Sequence, residues 1–100
     1  MTRKLLDPIP PGEILLEEFL KPMGISQNQL ARDLDVPVSR VAGVVAGERA
    51  ITADTALRLA IYFGTTAEFW LNLQSEYDLQ VARQTVWPKI KGRIRPRKAA

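Results

Sequence analysis

The run SQNQLARDLDVPVSRVAGVVAGER, residues 26–49, decides how the rest of the chain is read. Ser26 suits a helix N-cap, and Gln29 stands three residues later, the spacing of a capping box that satisfies two orphan backbone N–H groups. Leu30, Ala31 and Leu34 then line one narrow apolar face. Asp35, Val36 and Pro37 interrupt the pattern, because Pro37 disfavours helix at Val36 yet suits the first position of a new helix. That second helix is expected from about Pro37 to Ala46, with Gly47 just past its end in the left-handed region. At about 100° per residue, Val41, Val44 and Val45 gather on one side and Ser39, Arg40 and Gly43 on the other. A capped helix, a short turn and a second helix with a small, polar outer face make a helix-turn-helix.

Working outward, residues 1–10 lack periodicity, carry Pro8 and Pro10, and are expected to form an extended arm. A helix should start near Pro11–Glu13, with Leu15 one turn from Phe19 and Leu16 one turn from Leu20, and stop at Pro22 and Gly24. Beyond residue 49, Thr52 is an N-cap with Asp54 in the first turn. Ala56, Leu59, Ala60 and Phe63 supply the inner face of that helix, and Gly64 ends it. Thr66 caps a fifth helix expected to reach about Arg83. It carries two apolar stripes. Phe69, Trp70, Leu73, Tyr77 and Val81 share one side; Leu71, Leu79 and Ala82 lie nearly opposite, where Val86 would join them if the helix continued. One stripe packs a helix onto its own domain, and a second asks for another copy or a partner chain. The expected fold is all-α: a five-helix domain over residues 11–86 with an N-terminal arm, 1–10, and a basic tail, 87–100.

A chain of 100 residues supports one modest core. Cysteine and histidine are both absent, which excludes disulfides, thiolate metal sites and the usual nucleophile–base pairs. No phosphate-binding loop is present, since the stretch from Gly43 to Gly47 is a helix and its terminator. No enzyme activity, catalytic residue, metal or cofactor is therefore expected. No apolar run reaches the length of a membrane span and the start lacks a signal-peptide core, so a cytoplasmic protein is expected. The net charge of +3 is unevenly spread. Residues 1–88 hold 8 basic and 11 acidic side chains, while Lys89, Lys91, Arg93, Arg95, Arg97 and Lys98 follow with no acidic residue among them. Such a tail reads either as an arm for nucleic acid or an acidic partner, or as a solvated terminus.

The stretch 26–49 resembles the helix-turn-helix of lambda-repressor-like (XRE) DNA-binding domains. Further runs narrow the likeness: PGEILLEEFLKPMGIS at 11–26, GERAITADTALRLA at 47–60, FGTTAEFWLNLQ at 63–74, and Tyr77-Asp78-Leu79. With these the chain is similar, over roughly residues 9–83, to the HigA family of antitoxins. The FWLNLQ run at 69–74 is the most specific part. Pro10 departs from the family, which usually has histidine there. The resemblance implies a five-helix lambda-repressor-like fold. It also implies a repressor of its own operon that neutralises a HigB-like toxin, a ribosome-dependent mRNA endonuclease.

A helix-turn-helix places the start of its second helix in the major groove of double-stranded DNA. Val38, Ser39, Arg40 and Gly43 are then the base-facing set. Arg40 is the foremost, since a guanidinium can bond guanine O6 and N7 bidentately, and Val38 could touch a thymine methyl. Gly43 costs about 1 kcal/mol mid-helix against alanine and would permit close approach. Arg49 is placed for a phosphate, with Arg32 a weaker candidate, and Gln27 matches the glutamine that contacts backbone phosphate in the resembled superfamily. Leu71, Leu79 and Ala82 are the expected homodimer interface, setting two recognition helices about 34 Å apart on an inverted-repeat operator. Two rival readings remain at this stage. One is a stand-alone regulator without a toxin, which the neighbouring reading frame would reveal. The other is an interaction scaffold that has lost DNA contact, for which Arg40→Ala would change nothing.

Overall fold

A computed structural model describes residues 7–98, so most of the expected N-terminal arm, residues 1–6, lies outside the described residues. Six helices and no strand are present among them. Helix α1 spans residues 11–23 and is continuous, but its middle, Leu15–Leu20, is wound as a π-helix. The wider turn brings Leu15 and Leu20, five residues apart, onto the same buried side, whereas Leu16 and Phe19 are only half-buried. The expected i, i+4 pairs are thus replaced by an i, i+5 pair. Pro22 supplies a physical reason, because its ring would meet the carbonyl of Glu18 in a regular α-turn. Gly24, at φ 67°, ends α1, with the Ile25 N–H donating to the Leu20 carbonyl at 3.0 Å.

Helix α2 is Gln27–Leu34 and begins as expected: the Gln29 N–H donates to Ser26 Oγ at 3.0 Å. It ends on Asp35, which takes the left-handed conformation (φ 58°) usually given to glycine. Helix α3, Val38–Val45, starts one residue later than expected, because Pro37 sits at the N-cap with extended backbone (ψ 146°) and not in the first turn. Gly47 follows it at φ 77°. Helix α4 is Ala53–Phe63 and α5 is Ala67–Thr85, with Thr52 and Thr66 accepting N-cap bonds from the Thr55 and Phe69 N–H groups.

Toward the end of the chain, α5 runs to Thr85, a little past the expected Arg83, and a sixth helix, α6 (Trp87–Ile90), and a 3-10 turn, Lys91–Arg93, lie within the basic tail. Pro88 lies within the first two positions of α6, where its missing N–H costs nothing.

The core is built from Leu15 and Leu20 of α1, Leu30, Ala31 and Leu34 of α2, Val41 and Val44 of α3, Ile51, Ala56, Leu59 and Trp70. Trp70 is completely buried, and its indole N–H donates to Thr65 Oγ1 at 2.7 Å, so the ring adds apolar area without an orphaned donor. Phe19, Phe63 and Phe69 pack round it with ring centroids 4.9–6.0 Å from that of Trp70. Helix α2 packs on α3 and α4, while the first turn of α1 packs on both α3 and α5. No helix among the described residues is long and apolar enough to cross a membrane.

Candidate nucleic-acid interface

Helix α3 is held from behind by Val41 and Val44, which are buried, and by the half-buried Val45. Its buried side fixes what faces out: Val38, Ser39, Ala42 and Ala46 are exposed, with Gly43 half-buried beside them. All of these are small. The resulting surface is smooth enough for the helix backbone to come close to a groove floor. Ala42 and Ala46 were not singled out from the sequence. Helical spacing places them beside Ser39, yet alanine carries no polar signal to attract notice.

Arg40 does not lie at the centre of that face. It is half-buried on the flank toward α4, with Nη1 3.6 Å from Asp54 Oδ1. Asp54 also accepts from Arg58 Nε, and Arg58 Nη1 donates to the carbonyls of Leu34 at 2.7 Å and Asp35 at 3.3 Å. Arg58 thereby closes the end of α2, whose final carbonyls have no helical partner. The hydrogen bond from Arg58 holds the Asp54 carboxyl below its ordinary pKa. Partial desolvation acts against this, and the charges of Arg58 and Arg40 act with it. A second tie joins the same elements: the Tyr62 hydroxyl donates to Asp33 Oδ2 at 2.8 Å, which raises the phenol pKa, with desolvation and the Asp33 charge adding to the effect.

Gly43 has a different part from the expected close approach alone. A Cβ built there would come within 2.9 Å of Arg49 Cδ and 3.0 Å of its Cγ. The missing side chain makes room for the Arg49 stem to lie across α3, which carries this cation next to the outward face. Arg40 and Arg49 stand together with Thr52 and Asp54 around one open cleft at the start of α4. Gln27 is half-buried at the first position of α2, and Arg32 is exposed on that helix.

Gly12 is a residue whose part the sequence concealed. A Cβ there would lie 1.9 Å from the Val44 carbonyl oxygen and 2.8 Å from Val45 Cα. The backbones of α1 and α3 meet at this point, so Gly12 sets how α3 sits on the domain.

The expected interface residues separate. Leu71 is half-buried against the core, whereas Leu79 is 46% exposed. Ala82 lines a groove of about 380 Å³ with Leu79, Arg83, Val86, Trp87 and Ile90. The free apolar surface therefore lies nearer the C-terminus than expected, and α6 builds one wall of it. Among the described residues, no group of three or more acidic, histidine or cysteine side chains could hold a metal ion.

The helix-turn-helix family model matches residues 16–70. Virulence-associated protein I of Dichelobacter nodosus is 58% identical over 76 residues, 76% of this chain and 70% of that protein. An addiction module antidote protein of the HigA family from Coxiella burnetii has a similar structure. Its TM-score is 0.84 at 52% identity, covering 90% of this chain and 98% of that one. The Pseudomonas aeruginosa antitoxin HigA, solved with the higBA promoter, gives a TM-score of 0.86 at 48% identity, over 89% of this chain and 97% of that one.

Proposed function

The chain belongs to the XRE-type helix-turn-helix family, alongside the HigA antitoxins, and from that premise we propose that it is an operator-binding repressor and antitoxin. The observation that carries this reading is the outward face of α3, made of Val38, Ser39, Ala42, Gly43 and Ala46 and edged by Arg40 and Arg49. Helix α3 enters the major groove of double-stranded DNA. Arg40 leaves Asp54 to meet a base edge, an exchange of one long, partly exposed ion pair for a bidentate contact. Arg49 and Gln27 meet phosphates on either side, Gln27 with help from the free N–H groups at the start of α2. With one long polar reader per copy, direct readout is modest, and DNA shape and the spacing of two half-sites supply further specificity.

Two copies are needed to read an inverted repeat. Leu79 and Ala82, extended by Val86, Trp87 and Ile90, form the surface on which a second copy docks. Leu71 contributes through the core beneath. The antitoxin part of the reading requires a HigB-like toxin as partner. Co-expression with the adjacent reading frame tests it: growth arrest by that product alone, relieved by this chain, is expected, and no relief would overturn it.

DNA binding is tested by fluorescence anisotropy on duplex from directly upstream of the gene against scrambled duplex. The upstream duplex should bind more tightly, and Arg40→Ala should cost about 1–3 kcal/mol of that preference. Equal binding to both duplexes by the unaltered protein would contradict a specific repressor.

A further inference from the structure

The geometry points to the segment 89–98 as a second DNA-binding element, an arm that grips duplex phosphates beside the site read by α3; this rests on the DNA-binding reading above. Charge carries the inference first. Residues 1–88 hold 8 basic and 11 acidic side chains, so the part of the chain containing the helix-turn-helix is net negative. A net-acidic body gains little from the phosphate term that supplies most non-specific affinity. The last twelve residues reverse the balance with six cations and no acid. All six are exposed, and none of the ion pairs among the described residues involves them. They are therefore free to replace counterions on a polyanion.

Placement carries it second. Helix α5 passes close to the loop that follows α3: Gln74 Oε1 accepts from the Ile51 N–H at 2.7 Å, and Tyr77 and Asp78 share a cleft with Gly47, Glu48 and Arg49. Thr85, the end of α5, lies about 10 Å further along the helix axis. The basic segment thus begins no more than about 25 Å along the chain from the cleft that holds Arg49. Its first part is not free coil. Lys89 lies in α6, and Lys91 and Arg93 lie in the 3-10 turn after it. Trp87 and Ile90 of this helical stretch line one groove with Leu79, Ala82 and Val86. Residues 94–98 then extend the reach by up to about 17 Å, more than the width of either groove. Anchored cations lose less freedom on binding than cations on a free tail, so they favour a defined row of phosphates.

The test compares the full chain with a variant carrying Lys89→Gln, Lys91→Gln, Arg93→Gln, Arg95→Gln, Arg97→Gln and Lys98→Gln. Both are titrated on upstream and scrambled duplexes across a salt series, with matching thermal unfolding as the check on folding. Contacts from three or four of the cations predict a slope of log K against log salt shallower by about 3. The affinity lost between about 50 and about 200 mM salt then shrinks about sixty-fold, equally on both duplexes. An unchanged slope would overturn the arm and leave the cations to an acidic protein. The preference of the unaltered protein for the upstream duplex separates this from the repressor reading. A slope that depends on the arm, with equal binding to both duplexes, keeps the arm and removes the repressor; a preference for the upstream duplex with an unchanged slope does the opposite. No binding to either duplex at low salt would remove both.

Discussion

Gly12 and Val44 meet backbone to backbone, and one added methyl group at position 12 would overlap the Val44 carbonyl oxygen at 1.9 Å. No side chain can move to relieve that overlap, so α1 and α3 must separate. Gly12→Ala is expected to cost about 3 kcal/mol in urea unfolding, at the upper end of overpacking penalties. A loss below about 0.5 kcal/mol would show that the contact is loose. Asp54 makes a prediction of a different kind. Its carboxyl is held below the ordinary 3.8 by the hydrogen bond from Arg58. A depressed acid contributes stability that is present above its unfolded pKa and is lost as pH falls through the folded value. The stability difference between the unaltered protein and Asp54→Asn should thus be fully developed above about pH 5 and shrink as pH falls through and below 3.8. A difference that stays constant from pH 6 to about pH 2 would contradict the pairing.

Among elements, the helix-turn-helix is fastened to α4 by Arg58, which donates to the last carbonyl of α2 and to Asp35. Arg58→Ala removes charged donors from these carbonyls and should destabilise the fold by about 2 kcal/mol, measured by chemical unfolding. Arg58→Lys should recover only part of this, because an ammonium lacks the planar fork that serves Asp54 and two carbonyls together. Full recovery would argue that only the charge matters. The N-caps of α2, α4 and α5 and the terminators of α3 and α4 were legible because Ser26, Thr52, Thr66, Gly47 and Gly64 act through their own backbone neighbours. The π-turn in α1 was not legible, since it answers to how Leu15 and Leu20 both reach the core. Nor was α6, whose four residues are too few for periodicity. In the candidate interface, Arg40 and Arg49 stood out by type. The flank position of Arg40, the stem of Arg49 over Gly43 and the role of Gly12 depend on contacts between elements that spacing does not encode.

For the whole molecule, the proposed function ties the apolar groove at the C-terminal end of α5 to the outward face of α3: on that proposal two copies join through α5 and α6 and read two half-sites. Leu79 is 46% exposed in the single chain and distant from the buried core residues in sequence, so a charge there should leave the fold intact. Leu79→Glu is expected to sediment as a folded monomer whose thermal unfolding no longer depends on protein concentration, while Leu71→Glu should lower the stability of the monomer itself as well. A dimer that survives Leu79→Glu would move the interface elsewhere. The most direct test of the account is a hydroxyl-radical footprint of the protein on the duplex upstream of its gene. Two protected segments on one face of the DNA, with centres about 34 Å or one helical turn apart, are predicted. Both should weaken together in Leu79→Glu. A single protected segment, or protection that does not depend on sequence, would contradict a dimeric operator-binding repressor.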